Sequence, residues 1–175
     1  MLFRSRRQET SLEHRFHSVG DVFAFRREGD IHVAEIRAGA ERAVDIFANL
    51  VEQMPTVVSL SLECLRTGRE FIGGNLQLVE VRETIARLKV PLVASGGVEL
   101  SVYSPDEQVA LSAMLDPWIF ARSDRWLYLL IGQGLEERAE LPARGWALAR
   151  GDFTGAPALV EAVTKAAERL TLSLA

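Results

Sequence analysis

Thr56-Val57-Val58-Ser59-Leu60-Ser61-Leu62-Glu63-Cys64-Leu65 alternates strictly, placing Val58, Leu60, Leu62 and Cys64 on one side and Val57, Ser59, Ser61 and Glu63 on the other. A period of two is the signature of a strand with one buried and one wet face. On the N-terminal side, Ala43, Val44, Phe47, Leu50, Val51 and Met54 follow the spacing of one helical stripe, and Pro55 stops it. Further upstream, Val22-Phe23-Ala24-Phe25 and Ile31-His32-Val33-Ala34-Glu35-Ile36 flank the Gly-containing stretch Arg26–Asp30, which predicts a hairpin.

On the C-terminal side, Arg66-Thr67-Gly68-Arg69 reads as a turn, and Phe71-Ile72 extends or pairs the strand. Gly73-Gly74-Asn75 is expected to open a helix with Asn75 as cap, running to about Lys89 with Leu78, Val81, Ile85 and Leu88 inward. A second alternating strand follows, with Val98, Leu100 and Val102 against Glu99, Ser101 and Tyr103. Ser104-Pro105-Asp106-Glu107 has the pattern of a capped helix with proline at its first position, so a helix is expected to about Leu115, ended by Asp116-Pro117. The segment from Trp118 to Ile131 reads as a last hairpin around Ser123-Asp124, apolar on both faces and therefore in need of cover from helices or a partner.

Residues 132–157 hold five of the 13 glycines and two of the six prolines and read as an irregular connection, with a short strand expected at 146–149. A C-terminal helix follows over 158–172, and residues 1–18 form a loose leader without periodicity. The expectation is one α+β domain over 19–175, with a mixed, largely antiparallel sheet and helices packed mainly on one face. Over residues 21–115 the element order is similar to that of STAS domains, the small sulfate-transporter and anti-sigma-antagonist modules. Their Asp-Ser-Ser-Gly stretch falls near Gly73-Gly74-Asn75, where this chain has no serine to phosphorylate.

Composition bounds the function. The chain has 175 residues, 48% hydrophobic and 25% charged, long enough to bury about 70% of its unfolded surface without disulfides or a structural metal. Twenty basic against 24 acidic side chains give a net charge of −4, which disfavours nucleic acid as partner. No apolar run is long enough for a membrane span, the first residues lack a secretory segment, and the lone cysteine fits a reducing compartment, so a cytoplasmic protein is expected.

Motifs for chemistry are sparse. His14 and His17 have helical-turn spacing, with His32 as a distant third imidazole, but no carboxylate or cysteine stands at a ligand spacing nearby, so no metal is expected. Cys64 shares an apolar strand face and reads as an inert buried thiol. Gly132-Gln133-Gly134 is followed by Glu136-Glu137, which would repel phosphate, and no cofactor is expected. The binding candidates are Arg66 and Arg69 in one loop with Trp118, Arg122, Arg125, Trp126 and Tyr128 in the last hairpin, residue types enriched at binding hot spots. The reading is a non-enzymatic binding or regulatory module acting through that hairpin or the open sheet face, on a protein partner or as a homodimer. A small-molecule ligand is the other occupant such a surface admits. The alternative is a small enzyme using Glu63, Glu99 and Tyr103 on the polar sheet face, two carboxylates being able to divide acid and base roles.

Overall fold

The computed structural model describes residues 20–142 and 153–175. The expected leader, His14, His17 and the strand expected at 146–149 lie outside the described residues. The fold is α+β, and the described residues form nine strands in one mixed, mostly antiparallel sheet.

The first hairpin is as the sequence predicts, β1 (Val22–Glu28) pairing with β2 (Ile31–Arg37) around Gly29, whose φ of 63° suits a residue without a Cβ. Helix α1 (Ala40–Val51) buries the predicted stripe, and β3 (Val57–Cys64) buries Val58, Leu60, Leu62 and Cys64. After the turn, β4 (Arg69–Gln77) folds back on β3, and α2 (Leu78–Ser95) begins only at Leu78. Gly73-Gly74-Asn75 therefore lies inside a strand rather than at a helix start, and Gln77, not Asn75, precedes the helix. Gly73 allows the approach of Leu172, whose Cδ2 would stand 2.5 Å from a Cβ at that position. Helix α2 also runs past Lys89 to Ser95, through Pro91, which cannot donate to the carbonyl four residues earlier.

The larger corrections come next. Ser104-Pro105-Asp106-Glu107 is the turn of a hairpin between β5 (Val98–Tyr103) and β6 (Glu107–Leu111), closed by the Ser104 N–H donating to the Glu107 carbonyl at 2.8 Å. Serine, proline and aspartate suit the leading positions of a β-turn as well as a helix start. Pro117 begins β7 (Pro117–Ala121), which pairs with β6 on one side and β2 on the other. The second limb of the expected last hairpin is instead α3 (Arg125–Gly132), in which Trp126 and Leu130, one turn apart, point into the core. The short strand β8 (Glu136–Glu137) lies parallel to β1. The last helix, α4 (Pro157–Arg169), is followed by β9 (Ser173–Leu174) on the edge of β4. The strand order is β8-β1-β2-β7-β6-β5-β3-β4-β9.

Following the register across the sheet, Ile36, Ile119, Val109, Val102, Leu60 and Leu62 share one face, and all are buried in the core with the apolar sides of the four described helices. Residues of opposite parity point to the other face, which no described helix covers.

Candidate functional site

Three cross-strand rows define this second face. In one, Glu70 of β4 pairs with Glu63 of β3, and Glu63 pairs with Glu99 of β5. The adjacent row runs Ser61, Ser101, Ala110, Trp118 from β3 through β5 and β6 to β7. The third places Tyr103, Gln108 and Phe120 in line.

Small side chains in the middle row leave a depression of about 370 Å³ between the carboxylates and the aromatic rings, lined by residues that include Ser61, Glu63, Glu70, Glu99, Ser101, Gln108, Trp118 and Phe120. Trp118 and Phe120 point to the same side of β7 and stack with centroids 6.0 Å apart and planes 4° from parallel. Within the depression the Ser61 hydroxyl donates to Glu70 Oε1 at 2.8 Å and Gln108 Nε2 donates to Ser101 Oγ at 2.6 Å. Glu63 and Glu99 are half-buried, Glu70 exposed. Like charges directly opposite one another in a sheet are destabilising, and this row sets three carboxylates side by side.

The other candidate side chains do not converge. Arg66 and Arg69 stand at the end of the sheet where Cys64 pairs with Val98, Arg122 and Arg125 at the end where Glu107 pairs with Ala121. Arg66 binds the C-terminal end of α2: its Nη2 donates to the Ser95 carbonyl at 2.9 Å, its Nη1 to the Gly96 carbonyl, and its guanidinium lies 5.5 Å from the centroid of Phe153. Cationic donors at a helix C-terminus satisfy its leftover carbonyls. Arg69 is exposed opposite Cys64. Arg122 lies 3.6 Å from Asp106, both largely exposed.

Arg125 Nη2 donates to both oxygens of Glu107 at 2.9 Å and to the Gln53 carbonyl, and its guanidinium lies 4.6 Å from the centroid of Trp126. Trp126 is fully buried and donates from Nε1 to Glu107 Oε2 at 2.6 Å. Tyr128, by contrast, is 66% exposed on the outer side of α3. Of the predicted binding residues, Trp118 alone lines the depression, where it meets Glu63 and Glu99 from the enzyme alternative. Tyr103 stands four residues along β5 from Glu99, about 13 Å away at the rise of a strand.

Among the lining residues that were not site candidates are Glu70 and Gln108. The first was accessible from the turn at 66–68, because a tight hairpin that pairs Cys64 with Arg69 must pair Glu63 with Glu70. The alternation of Gln108 and Ala110 with Val109 and Leu111 carried the second.

Among the described residues no cluster of histidine, cysteine, aspartate and glutamate could hold a metal ion, and no helix is long and apolar enough to cross a membrane. No family model matches the chain, and neither a curated protein nor a solved structure matches it.

Proposed function

We propose that the protein is a non-enzymatic binding module that captures a cationic segment of a protein partner on the sheet face that no described helix covers. The observation behind this reading is the register that lines up Glu70, Glu63 and Glu99 beside the Trp118–Phe120 stack. A guanidinium or ammonium group gains from both halves, accepting carboxylates on one side and aromatic π-faces on the other. Half-buried carboxylates are also less screened by salt than those on an open surface. The same row disfavours the phosphates of nucleic acid.

Capture fits this geometry better than catalysis. Acid–base work by two carboxylates needs one desolvated and one solvated. Glu63 and Glu99 are half-buried neighbours in one row, and Tyr103 stands apart from them. The partner is another protein or a second copy of this chain, alternatives that the mass of the complex distinguishes.

The test is fluorescence anisotropy of a labelled nona-arginine peptide at low and high salt. Binding should be saturable, weaken with salt, and fall about tenfold or more in Trp118→Ala and in the double variant Glu63→Lys with Glu99→Lys. The double variant Glu136→Lys with Glu137→Lys changes charge equally at the far edge of the sheet and should leave binding intact. Equal weakening by both double variants, or no saturable binding to the wild type, overturns the reading.

A further inference from the structure

A second concavity lies on the opposite side of the molecule, between α2 and α4. It measures about 520 Å³ and is lined by Thr84, Arg87, Leu88, Ala162, Lys165, Ala166 and Arg169, within the range usual for small-ligand sites. Its origin is local. The two helices pack against each other, and the residues they bury are Val81, Thr84, Ile85, Leu88 and Leu92 in α2 and Leu159, Val163, Ala166 and Ala167 in α4. At Ala162 and Ala166, successive positions on one side of α4, the side chain is a single methyl, so the helices leave space where a leucine would fill it.

The floor of this groove is apolar and its rim is cationic. Leu88 and Ala166 are buried, and Thr84 is buried with its hydroxyl already donating to the Glu80 carbonyl at 2.8 Å. Arg87, Lys165 and Arg169 rise from two helices around this floor. Arg169 is paired with Glu83 at 2.8 Å and Lys165 with Glu161 at 2.6 Å, so two of the cations are held at the rim. Lys165 also lies within the field of Glu168, whereas no described residue pairs with Arg87, which leaves Arg87 as the rim cation open to an anionic head.

We infer that the groove between α2 and α4 is a binding site for a small anionic amphiphile, with its apolar body on Leu88, Ala162 and Ala166 and its carboxylate or phosphate head at Arg87. This site is independent of the acidic sheet face and takes a ligand of opposite charge.

Decanoate, below its micelle concentration, is the probe, and the ¹³C-labelled methyl groups of Ala162 and Ala166 report from inside the groove. Decanoate should shift both resonances saturably. Arg87→Glu, a change on an exposed side chain, should weaken the effect about tenfold or more, and Ala162→Leu should abolish it by filling the space. Decyl phosphate should act as decanoate does if the head group is recognised only as an anion; a response to one head alone assigns the ligand to that class. Decyltrimethylammonium, with the same tail and opposite charge, should leave the two methyls unmoved. The inference fails if neither decanoate nor decyl phosphate moves them, if the cationic amphiphile acts as strongly, or if Arg87→Glu binds the active anion as the wild type does. The remaining alanine methyls show whether each variant keeps its fold.

Discussion

Removing the Glu107 carboxylate should destabilise the protein through the indole it serves rather than through its ion pair. Trp126 is fully buried, and its only donor reaches Glu107 Oε2 at 2.6 Å. In Glu107→Ala that N–H is left buried without its acceptor, at a cost of about 1–3 kcal/mol. The pair with Arg125 adds less, because the arginine side chain is 42% exposed against 14% for the glutamate, and pairs of this kind contribute about 0–1 kcal/mol. The expected total is about 1–4 kcal/mol. For a chain of 175 residues, at about 2–4 °C per kcal/mol, a mid-range loss of about 2 kcal/mol lowers Tm by about 4–8 °C. Thermal and urea denaturation followed by far-UV circular dichroism measure it without relying on tryptophan emission. A double-mutant cycle isolates the cause, since Trp126→Phe removes the donor while keeping an aromatic ring. In that background Glu107→Ala should cost only the Arg125 share, giving a coupling energy of about 1–3 kcal/mol. A coupling below about 0.5 kcal/mol would refute the account, because the carboxylate would then be acting independently of the indole.

Two further predictions concern the end of α2 and the packing of α1 on it. Gly97 has a φ of 78°, and a Cβ there would meet the Arg66 guanidinium and stand 2.6 Å from the Phe153 ring, so Gly97→Ala should cost about 2 kcal/mol or more from backbone strain and overpacking. The urea midpoint should fall accordingly, with partial recovery when Arg66→Ala is added, and an unchanged midpoint counts against the observed packing. Lys89 of α2 lies 2.7 Å from Asp45 and 3.5 Å from Glu41 of α1, and the hydrogen bond to Asp45, followed by the charges of both acids, raises its pKa above the ordinary 10.5. A raised folded-state value means that the stabilisation is complete below the unfolded pKa and is lost as pH rises through the folded one. The stability gap between wild type and Lys89→Met should therefore be present at neutral pH and close above the ordinary lysine range. A gap that persists at high pH assigns the effect to the packing of the lysine stem instead.

Local periodicity carried much of the fold. The alternation in β3 and β5, the stripe of α1 and the burial of Cys64 depend on neighbours a few residues apart, and the structure shows all of them. It also placed Glu63, Glu99 and Ser101 on one polar face. What alternation could not supply is strand order: Trp118 and Glu63 share a depression because β7, β6, β5 and β3 stand side by side. That order is fixed by contacts far apart in sequence.

Two of the misread elements, the helix expected from Ser104 to Leu115 and the hairpin expected from Trp118 to Ile131, arise from one cause. Ser104-Pro105-Asp106-Glu107 fits the start of a helix and the turn of a hairpin equally well, since both use a serine at the edge and a proline with φ fixed near −65°. Reading a helix there removes β6, which leaves Trp118–Ala121 without an upstream neighbour and makes the next apolar run, Arg125–Ile131, the nearest available partner. With β6 in place, β7 is paired on both sides and that run is free to be helical. The helical signals were present: Ser123 Oγ accepts from the Arg125 N–H at 3.2 Å, Trp126 and Leu130 are one turn apart, and Gly134 follows with a φ of 83°. Glu107 joins the two segments. In a capping box its carboxylate would reach back to the Ser104 amide, whereas in the hairpin it turns to the indole of α3, so the residue that made the helix reading attractive is the one that fixes the true helix against the sheet.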